Sequence, residues 1–238
     1  MKHGFAFLLA AAALLARPCL AGEELVLSAH YANGEVVPYI LDSAGPKPDY
    51  VIVLFPGGSG RVDPHLEDGT LAYGLRGNFL VRSRRHVVDE HFATATTNST
   101  QSEERVQALL DDLERRFPGA RIYLVGTSNG THSTIALADY LSGRIAGEIH
   151  TSSVRRIYDF DPRGLRNRHL IVHHREDHCQ ATPFQAAEGS HQRFGTELIV
   201  MEGDISVGDP CQAFAHHGYN GIERETIDAI KQWIRRGG

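Results

Sequence analysis

The chain has 238 residues, a length typical of one α/β domain or two small domains. Hydrophobic residues make up 42% of the sequence and charged residues 22%, which excludes a disordered chain. The net charge is −5, with 24 basic and 29 acidic residues. The basic excess that a nucleic-acid-binding surface requires is therefore missing, and we expect no nucleic acid partner.

The N-terminus has the pattern of a secretory signal peptide. Residues 1–3 are a short basic start, and residues 4–16 are an apolar run too short to span a bilayer comfortably. Small residues then precede a predicted cleavage site after Ala21. The alternative is that this segment is not cleaved and remains as an N-terminal membrane anchor. The residues before Cys19 fit a lipoprotein signal poorly, so cleavage is expected to remove Cys19 without lipidation.

The remaining chain alternates strand-like and helix-like segments. The patterns predict, in chain order, a hairpin of strands 25–31 and 36–41 around Asn33-Gly34, a buried strand 50–55, helices 79–91 and 102–117 with a weak strand 92–97 between them, a buried strand 122–125, a helix 131–141, strands 145–151, 169–173 and 197–201, and a last helix 222–235. This alternation indicates one mostly parallel sheet with helices on both faces.

Residues 126–130 match the pattern G-x-S-x-G around Ser128. A predicted strand runs directly into this segment and a predicted helix runs directly out of it, as a nucleophile elbow requires. Such a turn raises the serine hydroxyl above the sheet, and the flanking glycines allow the strand and the helix to approach. The alternative is an ordinary glycine-rich turn with a capping serine. We therefore predict that Ser128 is a catalytic nucleophile.

Three glycines follow the buried strand 50–55, within residues 57–60. Their bare backbone amides can turn toward a substrate and stabilise a negative charge. We expect one half of an oxyanion hole from the amide of Gly58 (or Ser59) and the other half from the amide of Asn129. A phosphate-binding loop would need a lysine that this segment lacks. A plain tight turn is the alternative.

A serine nucleophile needs a histidine base and a carboxylate that orients the base. The loop after the late strand 169–173 offers Asp177, with Glu176 as the less favoured neighbour. Asp204 and Asp209 are less favoured again, because both precede the candidate base within its own loop. Asp177 is therefore the predicted acid.

The loop after the last strand contains adjacent histidines, His216 and His217. We favour His217 as the base because Gly218 follows it and leaves room for its ring to swing over the serine. His216 is the alternative.

Two cysteines remain after signal cleavage, and cysteines usually pair in an oxidising compartment. Cys179 lies close after Asp177, and Cys211 lies shortly before His217. A disulfide between them would hold the acid loop against the base loop. The alternative is a disulfide whose position near these residues is a coincidence.

These features together resemble the α/β-hydrolase superfamily over nearly the whole chain that follows the signal peptide. The resemblance implies an α/β-hydrolase fold with an eight-stranded, mostly parallel sheet in a single domain, 22–238, after the signal peptide, 1–21. It also implies a triad of Ser128, Asp177 and His217 with no metal or organic cofactor. The chain departs from the family in two places: the glycine loop lacks the histidine of the lipase-like His-Gly-Gly-Gly form, and residues 94–101 are poor in apolar side chains for a central strand.

Residues 152–168 are too few to form the helical cap that many members of the superfamily carry. The chain is thus similar to small lidless esterases and cutinases. We expect a secreted or periplasmic serine hydrolase acting on a small-molecule or polymeric ester, with no membrane insertion after signal cleavage. The sequence does not predict an oligomeric state.

Other functions remain as alternatives. The same fold carries peptidases and thioesterases, and it also has members that bind without catalysis. A periplasmic metal-binding protein could use His173, His174 and His178, although this spacing shares one face only on a helix.

Overall fold

The computed structural model describes residues 23–31, 33–203 and 205–237, so the predicted signal peptide lies outside the described residues. The strands of these ranges are β1 (Glu23–His30), β2 (Val36–Ser43), β3 (Tyr50–Phe55), β4 (His65–Glu67), β5 (Thr70–Ala72), β6 (Phe92–Thr97), β7 (Arg121–Thr127), β8 (Gly147–Thr151), β9 (Arg168–His174) and β10 (Glu197–Met201). The α-helices are α1 (Phe79–Val87), α2 (Glu103–Arg116), α3 (Thr131–Leu137), α4 (Phe184–Phe194) and α5 (Glu223–Arg236).

Eight strands form one sheet in the order β1-β2-β6-β3-β7-β8-β9-β10. Strand β2 runs antiparallel to both β1 and β6, and all other neighbours are parallel. The predicted fold class, an eight-stranded and mostly parallel sheet with an N-terminal antiparallel hairpin, is confirmed. The parallel strands place the loops after β3, β7 and β9 at the same edge of the sheet, where ligands bind in open α/β sheets.

Helices cover both faces of the sheet, because alternate residues of each strand point to opposite sides. On one face α2 and α3 pack over β3 and β7, with a core that includes Leu109, Leu113, Leu137, Val51, Val53 and Leu124. On the other face α1 and α5 pack over the same strands, with a core that includes Phe79, Leu80, Trp233, Ile52, Leu54 and Tyr123. Helix α4 lies beside α3 and packs on Ile171 of β9.

Strand β6 occupies an interior position although its sequence FATATT is poor in large apolar residues. All six residues are buried between β2 and β3. Two of its three threonine hydroxyl groups are satisfied inside the sheet: Thr94 donates to Asp42 Oδ2 at 3.3 Å, and Thr97 donates to the carbonyl oxygen of Pro38 at 2.7 Å. The third, Thr96 Oγ1, is buried with no hydrogen-bond partner among the described residues. The weak strand prediction at 92–97 is thus confirmed.

Two helices end earlier than predicted, and one helix and one hairpin were not predicted. Helix α1 ends at Val87, before the predicted end at 91, because Asp89 Oδ1 accepts the backbone N–H groups of His91 and Phe92 and forms a turn there. Helix α3 ends at Leu137, and turns replace its predicted last residues. Helix α4 and the small β4–β5 hairpin were not predicted.

Within the described ranges, no helix has both the length and the hydropathy that a membrane span needs.

Candidate active site

Ser128 lies at the point where β7 ends, in a left-handed backbone conformation with φ 51°. A non-glycine residue rarely adopts this conformation, and it persists only where the surroundings enforce it. Here a short 3₁₀ turn, Ser128–Gly130, leads straight into α3. A Cβ at Gly126 would lie 2.5 Å from the carbonyl oxygen of Gly130, and a Cβ at Gly130 would lie 2.1 Å from that of Phe55. Both glycines are thus required for the close approach of β7, the turn and the end of β3.

The glycine loop after β3 packs directly against this serine. A Cβ at Gly57 would lie 2.8 Å from Ser128 Cβ, so only glycine fits at that position. Gly58 follows with φ +62°, and its carbonyl oxygen accepts a hydrogen bond from Asn129 Nδ2 at 3.0 Å. The structure therefore brings together the two residues whose amides were predicted to form the oxyanion hole.

Asp177 and His217 are hydrogen-bonded to each other and are both buried. The distance between His217 Nδ1 and Asp177 Oδ2 is 3.0 Å. Because an ionised carboxylate only accepts hydrogen bonds, Nδ1 carries the hydrogen, and Nε2 is left with a lone pair. This is the tautomer that a general base requires.

The loop around His217 is tightly folded. His217 lies in a short 3₁₀ turn, His216–Gly218, which Tyr219 ends with φ 55°. A Cβ at Gly218 would lie 2.0 Å from the carbonyl oxygen of Ala213. The sequence predicts that Gly218 makes room for movement of the His217 ring, whereas the structure requires this glycine for a close approach of two backbone segments.

Further groups surround the Asp177 carboxylate. Oδ2 also accepts hydrogen bonds from His173 Nε2 at 3.2 Å and from Thr182 Oγ1 at 3.1 Å, and Oδ1 accepts one from the backbone N–H of Cys179 at 2.9 Å. Burial by itself opposes ionisation of Asp177, but the hydrogen bonds and the charge interactions with His173 and His217 hold the pKa of its carboxyl group well below its usual value.

Sequence reasoning missed the roles of His173 and Thr182. The hydroxyl oxygen of Thr182 is also 3.0 Å from His217 Nδ1, so this threonine contacts both members of the pair. His173 lies near the end of β9, four residues before Asp177. This spacing is the sequence pattern from which its role could have been predicted. The contact of Thr182 with His217 joins distant parts of the chain and left no local pattern.

The alternative acid and base lie elsewhere. The rings of His216 and His174 are stacked with centroids 4.4 Å apart, and His216 Nδ1 is 3.1 Å from the backbone oxygen of Glu176. These residues line a separate cavity that Ser128 does not reach. Asp209 accepts the backbone N–H of Cys211 at 2.9 Å and is exposed, and Asp204 lies outside the described residues.

Cys179 and Cys211 form a disulfide with an S–S distance of 2.06 Å. It joins the loop that carries Asp177 to the loop that carries His217. Because its sulfur is in the disulfide, Cys179 is not available as a thiolate ligand, although it lies close to these two residues. The proposed metal-binding pattern gains no support, since His173 and His174 are neighbours on one strand and point to opposite faces.

Ser128, His217, Gly58 and Asn129 all line one open cavity of about 490 Å³. Its walls are largely apolar and include Leu75, Phe79, Ala181, Ala213 and Phe214. Within the described part of the chain, Ser128 Oγ makes no hydrogen bond to His217; such contacts often lengthen in unliganded sites and tighten with substrate. The cavity places a nucleophile, a base and backbone amides around one space.

No family model and no curated protein sequence matches the chain, but solved structures share its fold. A lidless α/β serine hydrolase from Xanthomonas campestris superimposes with a TM-score of 0.58 at 12% identity, over 90% of this chain and 98% of that chain. The esterase domain of a Rhodothermus marinus protein gives a TM-score of 0.61 at 14% identity, over 91% of this chain and 100% of that chain. The chain has the α/β-hydrolase fold.

Larger enzymes contain a similar unit. Acylaminoacyl peptidase from Pyrococcus horikoshii matches with a TM-score of 0.56 at 13% identity, over 91% of this chain but only 42% of that chain. In this α/β-hydrolase fold, the segment between β8 and β9 contains only the short 3₁₀ turns Arg155–Asp159 and Pro162–Gly164. The expected absence of a helical cap in this segment agrees with its structure, and the cavity at Ser128 is open.

Proposed function

We propose that the chain is a serine hydrolase that cleaves carboxylic esters, with Ser128 as nucleophile, His217 as general base and Asp177 as the orienting acid. The observation that carries this proposal is the 3.0 Å hydrogen bond from His217 Nδ1 to Asp177, beside a cavity that Ser128 also lines. The positive φ of Ser128 supports it independently, because backbone strain of this kind concentrates at functional sites.

The mechanism begins with proton transfer. His217 Nε2 takes the hydroxyl proton of Ser128 while Oγ attacks the ester carbonyl carbon. The buried Asp177 carboxylate, whose lowered pKa keeps it ionised, stabilises the imidazolium that forms. His217 then gives the proton to the leaving alcohol, and an acyl group remains on Ser128. Water, activated by the same histidine, attacks the acyl group and releases the acid.

The negative charge of the tetrahedral intermediate needs donors that are already in place. We assign this role to the backbone amides of Gly58 and Asn129. Their loops are held together by the hydrogen bond from Asn129 Nδ2 to the Gly58 carbonyl oxygen, and both line the cavity at Ser128. This arrangement supports an oxyanion hole that exists before substrate binds.

Ser128→Ala is the direct test. With p-nitrophenyl acetate and butyrate, we expect this variant to lose at least roughly 10,000-fold in kcat, as serine hydrolases do without their nucleophile. Ser28→Ala, which changes an exposed serine of β1, is the matched control and should retain full activity. Undiminished ester hydrolysis by Ser128→Ala would overturn the proposal. Matching anilide and thioester substrates would separate an esterase from a peptidase or thioesterase.

We further propose that the protein acts outside the cytoplasm, as a single domain of residues 22–238 in the periplasm or after full secretion. The pattern of residues 1–21 and the disulfide support this location, because disulfides persist in oxidising compartments. The mass of the exported protein should correspond to a chain that begins at Gly22. An exported chain that still begins at Met1 would contradict the cleavage.

A further inference from the structure

A second cavity adjoins the one at Ser128. It has a volume of about 260 Å³ and shares Gly58 and Asn129 with the first cavity. Its other walls come from the glycine loop, the loop between β6 and α2, and the first turn of α3. These walls are hydroxyl, amide and imidazole groups, contributed by Ser59, Ser99, Thr100, Gln101, His132 and Ser133. The two cavities thus differ sharply in polarity on either side of the Gly58–Asn129 contact.

Several polar groups of the second cavity have hydrogen-bonding capacity left. Ser59 Oγ accepts the backbone N–H of Arg61 at 3.3 Å, and Thr100 Oγ1 accepts that of Ser102 at 3.0 Å, so both hydroxyl hydrogens remain to be donated. Ser99 Oγ donates to the carbonyl oxygen of Pro56 at 2.6 Å and keeps its lone pairs.

Gln101 and His132 also line the second cavity. Among the residues that the structure describes, neither side chain makes a hydrogen bond. Their amide and imidazole groups add donors and acceptors to those of the hydroxyl groups. A ligand with many hydroxyl groups could satisfy this set.

The charge of the second cavity narrows the choice of ligand. Among the described residues, its lining contains no carboxylate, lysine or arginine side chain. A phosphorylated or cationic ligand would therefore find no opposite charge there. The volume of about 260 Å³ lies slightly below the roughly 300 to 1,000 Å³ usual for ligand pockets, which fits one small ring better than a long chain.

We infer that the second cavity binds the alcohol part of the substrate and that this alcohol is a neutral, hydroxyl-rich compound, namely a sugar. The inference rests on the proposed ester hydrolysis at Ser128. The acyl group would occupy the apolar cavity beside Leu75, Phe79 and Phe214. When Ser128 Oγ bonds to the acyl carbon, the ester C–O bond breaks, and the sugar leaves with the proton from His217.

The test compares two esters that share one acyl group. The wild type should hydrolyse a butyryl ester of glucose with a kcat/KM at least about tenfold above that for ethyl butyrate, since several hydrogen bonds are added. Gln101→Leu should lower the ratio of these two kcat/KM values by about five- to tenfold, the effect of one lost hydrogen bond. Gln192→Leu, which changes an exposed glutamine of α4, is the matched control and should leave the ratio unchanged.

The outcomes separate this inference from the proposed function. If the wild type hydrolyses the glucose ester with a kcat/KM no higher than that for ethyl butyrate, the sugar assignment is overturned, but the proposed ester hydrolysis is not. A ratio that Gln101→Leu leaves unchanged would also overturn it, because the preference would then arise elsewhere. Failure of the wild type to hydrolyse any ester would overturn the proposed function itself, and the inference with it.

Discussion

His173 is a buried side chain that contacts the candidate acid without lining the cavity. Its Nε2 atom is 3.2 Å from Asp177 Oδ2 and 3.0 Å from the carbonyl oxygen of Thr182. Because both neighbours are acceptors, Nε2 carries the hydrogen and donates it. Its other ring nitrogen is buried with no partner among the described residues. This geometry makes His173 a positioning residue for Asp177.

Replacing His173 should therefore impair turnover more than substrate binding. We expect His173→Leu to lower kcat with p-nitrophenyl butyrate by about 10- to 100-fold, the effect of one hydrogen bond to a charged group. KM should change little, because His173 does not line the cavity at Ser128. His173→Gln, whose side-chain amide can donate from a similar place, should recover most of the loss.

Steady-state kinetics and thermal melting of both variants provide the measurement. His65→Leu, which changes an exposed histidine of β4, is the control for the loss of an imidazole. Equal losses of kcat and of melting temperature in the two His173 variants would mean that this side chain acts through packing alone.

A residue of the site can be predicted from the sequence when the elements that position it are neighbours along the chain. Ser128 could be predicted because the strand, the turn and the helix around it are consecutive in the chain. Asp177 and His217 required the order of the strands as well. Thr182 could not be predicted, because its contact with His217 depends on how two distant loops pack.

At the scale of elements, strand predictions succeeded where apolar residues form short runs. Strands β3 and β10 are such runs, and both begin and end at the predicted residues. Strand β6 also has its predicted ends, although its sequence is poor in large apolar residues. Helix α4 was missed because its sequence FQAAEGSHQRF buries small residues such as Ala186 and Ala187, which give little apolar periodicity. The β4–β5 hairpin did carry a local signal, since Asp68-Gly69 forms its turn with φ 49° and 77°.

Strands β8 and β9 contribute a buried polar cluster that lies apart from the candidate site. Glu148 Oε2 accepts a hydrogen bond from Asn167 Nδ2 at 2.6 Å and is 3.3 Å from His169 Nδ1. The rings of His150 and His169 are stacked with centroids 5.8 Å apart. Burial raises the pKa of Glu148 well above its usual value, although the Asn167 hydrogen bond opposes this. Burial lowers the pKa of His150, and it lowers that of His169 to about 4.

This cluster makes the free energy of unfolding depend on pH in a defined direction. The folded chain keeps the Glu148 proton at pH values where the unfolded chain, with a usual pKa of 4.5, has lost it. The stabilising contribution of Glu148 is thus complete below about pH 4.5 and declines as the pH rises toward the folded pKa. The two histidines act oppositely: their contribution is complete above pH 6.5 and is lost as the pH falls toward their lowered folded pKa values.

Glu148→Gln should abolish the decline in folding stability that the wild type shows as the pH rises above about 4.5. Glutamine keeps an oxygen that can accept from Asn167 and has no proton to lose. We expect equal melting temperatures for the variant and the wild type near pH 4.5, and a variant more stable by several degrees at pH 8, since each kcal/mol corresponds to about 2 to 4 °C in a domain of this size. Melting curves at a series of pH values provide the measurement. A difference that does not change with pH would show that Glu148 is not protonated in the folded state.

At the scale of the whole molecule, the candidate site depends on loops that meet only in the folded chain. Leu75 and Phe79 come from the start of α1 and the turn before it, whereas Phe214 comes from the distant loop before His217, so the apolar wall of the cavity could not be predicted from either segment alone. The disulfide was predictable because only two cysteines remain after the predicted signal cleavage, and their positions near Asp177 and His217 indicated which two loops it would join. It therefore links folding stability to the geometry of the site.

Removing the disulfide should reduce stability and activity together. In the unfolded chain, a cross-link over the sequence separation of 32 residues restricts the conformations available, which is worth about 4 kcal/mol to the folded state. A Cys179→Ser, Cys211→Ser double variant should thus melt about 8 to 16 °C lower. Its kcat/KM should also fall, because the Cys179 backbone N–H donates to Asp177 Oδ1 and Cys211 lies in the wall of the cavity.

The reductant provides the internal control for this prediction. Dithiothreitol should lower the melting temperature and the p-nitrophenyl butyrate activity of the wild type to those of the double variant, and it should have no effect on the variant itself. A wild type that keeps both properties after complete reduction would contradict the prediction. In that case, backbone contacts such as the one between Gly218 and Ala213 would suffice to hold the base loop against the acid loop.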